Sequence, residues 1–419
     1  MRREIMKTRN IFLKHLFIFI SGFLLLGQLI IFPCTVAVVS GKATPDGRPL
    51  MWKNRDTSGL DNKMIYFKGE KYAFIGLIDA RDKKTENVWA GINTEGFAIM
   101  NSASGDLSEE PEGMINNGRF MKRALSECAN ALDFESLLNR TNGNRKVAAN
   151  FGIIDAEGNA CFYETSNSTF HKFDTKDPKV APQGYIIRTN YAFTSPVKNG
   201  GGGYIRFERA SRLFQAASAE ERLDYKFILR EAARDLVNEK LNSFPLTDPK
   251  VYDSSSPVCI NTNDTINRNS TVSVALFHGV SDPKKARLAT MWILLGQPVC
   301  SVAVPLWANA ASVPELLSGP ETAPLNDFSR ALASYLYPDK RGHMSQYLSI
   351  SRLIHYGGEG VLSRLSKIEN QVFAETEMKL KEWEKKKPAQ QDVVDFEEKI
   401  AAWVYKSLKS SFPDVEIPD

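Results

Sequence analysis

Residues Cys34–Asp56 read CTVAVVSGKATPDGRPLMWKNRD. The run Thr35-Val36-Ala37-Val38-Val39 is β-branched and apolar, as a buried strand requires, and the turn Pro45-Asp46-Gly47 then reverses the chain into a second run, Pro49 to Trp52. The pair spells a hairpin that opens on a cysteine and closes on Lys53-Asn54-Arg55-Asp56.

Upstream, Arg2, Arg3, Lys7, Arg9 and Lys14 precede Leu16–Phe32, LFIFISGFLLLGQLIIF, which is apolar except for Ser21, Gln28 and two glycines. Basic then apolar is the order of a secretory signal, although the run exceeds the usual ~7–15 residues and approaches membrane-spanning length. Ile31-Phe32-Pro33 lacks the small-x-small pattern of signal peptidase sites, so a cut before Cys34 points to self-processing or another protease. Residues 1–33 are read as a leader removed on export to the periplasm or exterior, with a membrane-anchored form as the second reading.

The 419 residues are 43% hydrophobic, 24% charged and 10% aromatic, the make-up of a globular chain with a large core. The formal net charge of +4 comes partly from the basic N-terminus. The remaining body is close to neutral and predicts no nucleic-acid partner. Setting Cys34 aside leaves Cys128, Cys161, Cys259 and Cys300, read as two structural disulfides or as buried thiols. No CxxC pair or Cys/His zinc spacing occurs, so neither a metal nor a cofactor is expected.

Further strand-like pieces run Tyr72 to Ile78, Val88 to Asn101 broken by Asn93-Thr94-Glu95-Gly96, Val147 to Ile154, Ala160 to Tyr163, Gly184 to Thr189 and Val272 to Phe277. Gly- or Asn-bearing turns join them, which predicts antiparallel meanders. Helical patterns occupy 117–140 and 204–240 and dominate from 345 onward. There Leu362, Leu365, Ile368 and Val372, then Val393, Phe396, Ile400 and Trp403, give two amphipathic helices on either side of Pro388. Their charged faces read as solvated. Asn199–Gly203, with four consecutive glycines, reads as a flexible loop; without a following Gly-Lys-Ser/Thr it is no phosphate cradle. The expected layout is one catalytic domain over 34–340 and a helical extension over 341–419 packed on it.

A cysteine exposed at the head of a buried strand carries its own general base. Its α-amine, of pKa about 7.7–8.0, takes the proton of a thiol of pKa about 8.5 after only a small environmental shift. No histidine is needed, and His171, His278, His343 and His355 form no recognisable Cys-His motif. The competing readings of Cys34 are a lipidated cysteine, which Phe32-Pro33 fits poorly, a disulfide partner and an inert thiol.

The surrounding pattern resembles the cysteine-type N-terminal nucleophile (Ntn) hydrolases: choloylglycine (conjugated bile acid) hydrolases, penicillin V acylases and the isopenicillin N acyltransferase group. In those enzymes a cysteine opens the first strand and an Arg/Gln-Asn-x-Asp segment closes the hairpin. Asp56 matches the aspartate that holds the nucleophile's end of the chain. Lys53 stands where the bile acid hydrolases carry arginine, so either Lys53 or Arg55 supplies the local positive charge. Trp89–Phe97 resembles the Gly-x-Asn-x-x-Gly-Leu turn, followed by a strand ending at Asn101, where the family places an asparagine of the oxyanion hole. Arg188-Thr189-Asn190-Tyr191 resembles the element whose asparagine amide is the other donor, and Arg268 is the candidate for the late arginine. Trp292–Pro298 and Val304–Trp307 most resemble exported members of the acyltransferase-like branch.

The resemblance implies an α+β fold, a four-layer αββα sandwich of two antiparallel sheets with C-terminal amphipathic helices. It also implies cleavage of a linear amide through an acyl-thioester on Cys34, with or without acyl transfer. The expected partner is a small-molecule N-acyl amide. Membrane contact is expected only through the leader, and a homo-oligomer stays open. The alternative class is an envelope or membrane-anchored binding protein with an inert Cys34.

Overall fold

A computed structural model describes residues 34–107, 117–195, 201–238, 240, 258–339, 341–355 and 359–417. The expected leader, 1–33, lies outside the described residues, as do positions 199 and 200 of the glycine run. In chain order the strands are β1 (Thr35–Val39), β2 (Leu50–Asp56), β3 (Asn62–Phe67), β4 (Phe74–Asp79), β5 (Ala90–Asn93), β6 (Ala98–Ala103), β7 (Ala149–Ile154), β8 (Ala160–Thr165), β9 (Phe170–Asp174), β10 (Tyr185–Arg188), β11 (Cys259–Asn261), β12 (Thr271–His278), β13 (Thr290–Leu295), β14 (Val304–Leu306) and β15 (Tyr347–Ser349). The longer helices are α1 (Asn117–Glu127), α2 (Ala131–Arg140), α3 (Tyr204–Ala219), α4 (Pro324–Leu336), α5 (Val361–Lys385) and α6 (Gln390–Ser411).

Two antiparallel sheets carry the fold, one of seven strands in the order β3-β4-β5-β6-β7-β8-β9 and one of six in the order β10-β1-β2-β12-β13-β14. Period-two alternation explains how the first is covered on both faces. Met64, Ile92, Met100 and Phe162 share a core with Val36, Val38 and Met51 of the other sheet. Phe74, Ile99, Phe151 and Tyr163 face Phe120 and Leu125 of α1 and Phe134 and Leu138 of α2. The outer face of the six-stranded sheet is closed by helices through stacked and edge-on rings, Trp52 on Phe214 of α3 at 5.8 Å and Trp292 on Phe373 of α5 at 5.1 Å. The result is helix, sheet, sheet, helix, the expected α+β sandwich.

The hairpin forms with Thr35 opposite Asn54 and Val39 opposite Leu50, and β2 runs on to Asp56. Several elements differ from the sequence reading. Strands β3, β9, β11, β13, β14 and β15 were not anticipated, and β15 lies within the stretch from 345 onward expected to be helical. The helical stretch 117–140 is two helices, because Asn130 accepts a hydrogen bond from the Asp133 amide at 3.0 Å and caps α2. The helix expected over 204–240 ends at Ala219, followed only by short turns to Ala232. Cys128 and Cys161 are separately buried thiols, pushed up to about 12 mainly by burial, and not disulfide partners. The two C-terminal helices do flank Pro388, and Leu365, Ile368, Val372, Val393, Phe396 and Ile400 are buried in the main core. No helix among the described residues is long and apolar enough to cross a membrane.

Candidate active site

Cys34 sits one residue before β1, so the Thr35–Asn54 pairing sets it beside Arg55 on the neighbouring strand. Its thiol belongs to the core surface at 7% exposure. Lys53, on the same strand, is fully buried, and its ammonium donates to the Asn101 Oδ1 at 2.7 Å and to the Trp89 carbonyl at 2.8 Å. Burial pulls Lys53 down to about 8; Cys34 opposes this, Arg55 reinforces it and Asp56 opposes it. Arg55 is drawn down to about 10 by burial, again against the pull of Cys34. Its guanidinium donates to Asn62 Oδ1 and lies 5.0 Å from the centre of the Trp89 ring. Both candidate cations therefore lie within electrostatic reach of Cys34.

Asp56 ends β2 opposite Thr271, whose hydroxyl donates to its Oδ1 at 2.7 Å. Its Oδ2 is buried and has no hydrogen-bond partner among the described residues. Burial pushes this carboxyl up to about 6, while the charges of Arg268 and Arg206, the Thr271 hydroxyl and Lys53 draw it down. Arg268 thus lies in the electrostatic field of Asp56, although its own Nη2 donates to Asn263 Oδ1 at 2.7 Å.

Asn190 is fully buried just past β10, bridged in both directions to Gly202. Its Nδ2 donates to the Ala103 carbonyl at 2.7 Å, which leaves the second amide proton for another acceptor. The strand expected to end at Asn101 continues to Ala103; Asn101 lies opposite Phe151, and its side-chain oxygen accepts from Lys53. Asn101 orients a cation here, and the strand end next to Asn190 falls at Ala103.

One residue of the site escaped the sequence reading. Arg206, in the first turn of α3, is completely buried, and its Nη1 donates to the Cys34 carbonyl and to Thr35 Oγ1, each at 2.7 Å. Its Nη2 reaches Asn190 Oδ1 at 3.3 Å. A single guanidinium thus ties the cysteine's own carbonyl to the asparagine. The signal was the glycine run. Gly203 has φ +87°, and a Cβ there would stand 2.3 Å from Arg206 Nη2; one at Gly201 would stand 2.4 Å from the Asn190 carbonyl oxygen. These glycines allow close approach, and 201–203 is no flexible loop.

Two antiparallel sheets between helical layers, with a cysteine heading the first strand amid buried cations, a carboxylate and an asparagine, define an Ntn hydrolase. The chain belongs to the acyl-coenzyme A:6-aminopenicillanic acid acyl-transferase family, whose model matches residues 43–273, more than half its length. It is accordingly an acylase or amidase of the Ntn group, an enzyme that acts on amide bonds. Among solved structures it is similar to a mutant conjugated bile acid hydrolase from Clostridium perfringens, at 14% identity over 62% of this chain and 89% of that one, TM-score 0.39. It is also similar to penicillin V acylase from Agrobacterium tumefaciens, at 10% identity over 65% and 86%, TM-score 0.39. No curated protein matches the chain.

Proposed function

We propose that this protein is an exported acylase that cleaves linear N-acyl amides with Cys34 as an N-terminal nucleophile, after removal of residues 1–33. The observation that carries the reading is the buried Asp56 Oδ2, left without a partner among the described residues beside the Cys34 end of the hairpin. A buried acceptor of this kind costs about 1–3 kcal/mol, and a free α-ammonium at Cys34 would satisfy it.

In this mechanism the Cys34 α-amine accepts the thiol proton, and Lys53 and Arg55 favour the resulting thiolate. The sulfur attacks the amide carbonyl, and the second Nδ2 proton of Asn190 stabilises the oxyanion. The α-ammonium gives its proton to the departing amine as the carbon–nitrogen bond breaks. Water then hydrolyses the acyl-thioester, or an amine accepts the acyl group. Arg206 positions both partners through the Cys34 carbonyl and Asn190 Oδ1.

Mass spectrometry of the purified protein tests the first half: cysteine at the first position is expected, and an intact Met1 or a cut well away from Cys34 contradicts the reading. Cys34→Ser is expected to abolish hydrolysis and the acyl-cysteine adduct trapped with wild type. Unchanged turnover in that variant would leave Cys34 without a role.

A further inference from the structure

Lys53 and Arg55, the two cations beside Cys34, both bear on one residue, Trp89, to which the mechanism gives no role. The register sets Lys53 opposite Val36, and Cys34, two residues earlier, continues that face with Arg55 beside it. The Lys53 ammonium donates to the Trp89 carbonyl at 2.8 Å, and the Arg55 guanidinium lies over the Trp89 ring, 5.0 Å from its centre. Burial works against both charges, and Arg55 adds its repulsion to Lys53. Two like charges withdrawn from water need electron-rich partners, and Trp89 supplies a carbonyl dipole to one and a π face to the other.

The main chain at Trp89 is fixed from both sides, because its amide donates to the Leu77 carbonyl at 2.8 Å while its carbonyl takes Lys53. The indole is half-buried against the core that holds Phe97 and Leu125. Its nitrogen is buried and makes no hydrogen bond among the described residues, so what the side chain offers the site is its face. Arg55 is thus held by Asn62 Oδ1 and by the ring. Asp79 and Arg81 also act on Arg55, with opposite signs, and form an ion pair with each other at 2.8 Å. The other charges around this end of the hairpin among the described residues are Asp56 on β2, Arg206 on α3, Arg268 ahead of β12, and Arg188 of β10, which is paired with Glu164.

We propose that Trp89 is a positioning residue for the nucleophile: its indole face holds the Arg55 guanidinium towards Cys34 and so keeps the sulfur in its reactive, anionic form. The consequence for turnover rests on Cys34 being the nucleophile, whereas the state of the sulfur is measurable without any substrate. Every substitution at position 89 keeps the carbonyl that Lys53 uses, so variants there report on the ring and on Arg55.

The test is the rate at which iodoacetamide alkylates Cys34 at pH 6.5 and at pH 9.5, followed by peptide mass spectrometry on the purified protein. In Trp89→Leu the rate at pH 6.5 relative to that at pH 9.5 is expected to fall about tenfold, the lower end of what releasing one opposite charge within ~4–6 Å does to an acid. A loosened fold alone would change both rates together. Trp89→Phe keeps a π face and discards only the indole N–H, so it should recover most of the ratio. In Arg55→Met the cation is already gone, and adding Trp89→Leu should change the ratio no further. Circular dichroism checks each variant, and Trp89→Met, which refills the space without a ring, replaces Trp89→Leu should that variant not fold. An unchanged ratio without the ring, an equal fall in Trp89→Phe, or a second full fall in the Arg55→Met background overturns the proposal. Turnover of a panel of N-acyl-4-nitroanilides by the same samples separates the two readings. A ratio that depends on Trp89 without wild-type turnover keeps the positioning role and sinks the nucleophile, whereas turnover that Cys34→Ser abolishes, with a ratio indifferent to Trp89, does the reverse.

Discussion

The seven-stranded sheet follows the chain from β3 to β9 without interruption, whereas the six-stranded sheet threads β10-β1-β2-β12-β13-β14 from distant parts of the sequence. The meander is assembled by local turns, except between β6 and β7, where α1 and α2 intervene. The threaded sheet gathers Lys53, Asn54, Arg55 and Asp56 on one strand, all buried. Burying four polar side chains in succession opposes folding unless each finds a partner, and here the partners come from Trp89, Asn62, Ala233 and Thr271. Strain of this kind concentrates where function requires it, which separates a scaffold sheet from a working one.

Arg206 provides the strongest way to break that contrast. Replacing it with methionine removes the donor shared by Cys34, Thr35 and Asn190, and kcat is expected to fall at least ~1000-fold, about 4 kcal/mol of barrier. A kcat within threefold of wild type, with an unchanged melting curve, would make the threaded sheet as passive as the meander.

Asp56 sharpens the same contrast through pH. Its folded value of about 6 stands above the ordinary 3.8, so the stability linked to its proton is complete below pH 3.8 and is lost as pH rises through about 6. That difference corresponds to about 3 kcal/mol. Urea titrations of the unprocessed chain at stepped pH should therefore show Asp56→Asn gaining on wild type across this window. Parallel curves would mean that the carboxyl is as well solvated in the fold as outside it.

The smallest effect is expected in the meander half. Asn130→Ala removes the α2 cap and should cost about 1 kcal/mol of stability while leaving kcat untouched. A loss of turnover at fixed folded fraction would show that the scaffold also tunes the site.

Legibility followed the same division. The hairpin, the Asn93–Gly96 turn and the strands around it were readable because turn chemistry and alternation act within a few residues. Strand β13 was passed over because TMWILL is apolar throughout and has no period to betray it. The segment 220–240 carries helix-like spacing, yet Arg234 and Asp235 are drawn into contacts with Glu369 and Arg209, and tertiary partners overrode the pattern. Asp56, Lys53 and Asn190 enter the candidate site through motif resemblance. Arg206 carries no motif, and only its glycine-rich approach hinted at a tight junction.

The sequence by itself determined the hairpin headed by Cys34, the sheet-rich middle, the paired C-terminal helices and the residue types the chemistry needs, because each depends on spacing along the chain. Tertiary structure alone decided that Arg206 reaches back to the carbonyl of Cys34, that Asn101 serves Lys53, and that Asp56 keeps one oxygen unsatisfied. Those relations join groups far apart in sequence, and hydrogen-bond geometry and desolvation act only after packing has brought them together.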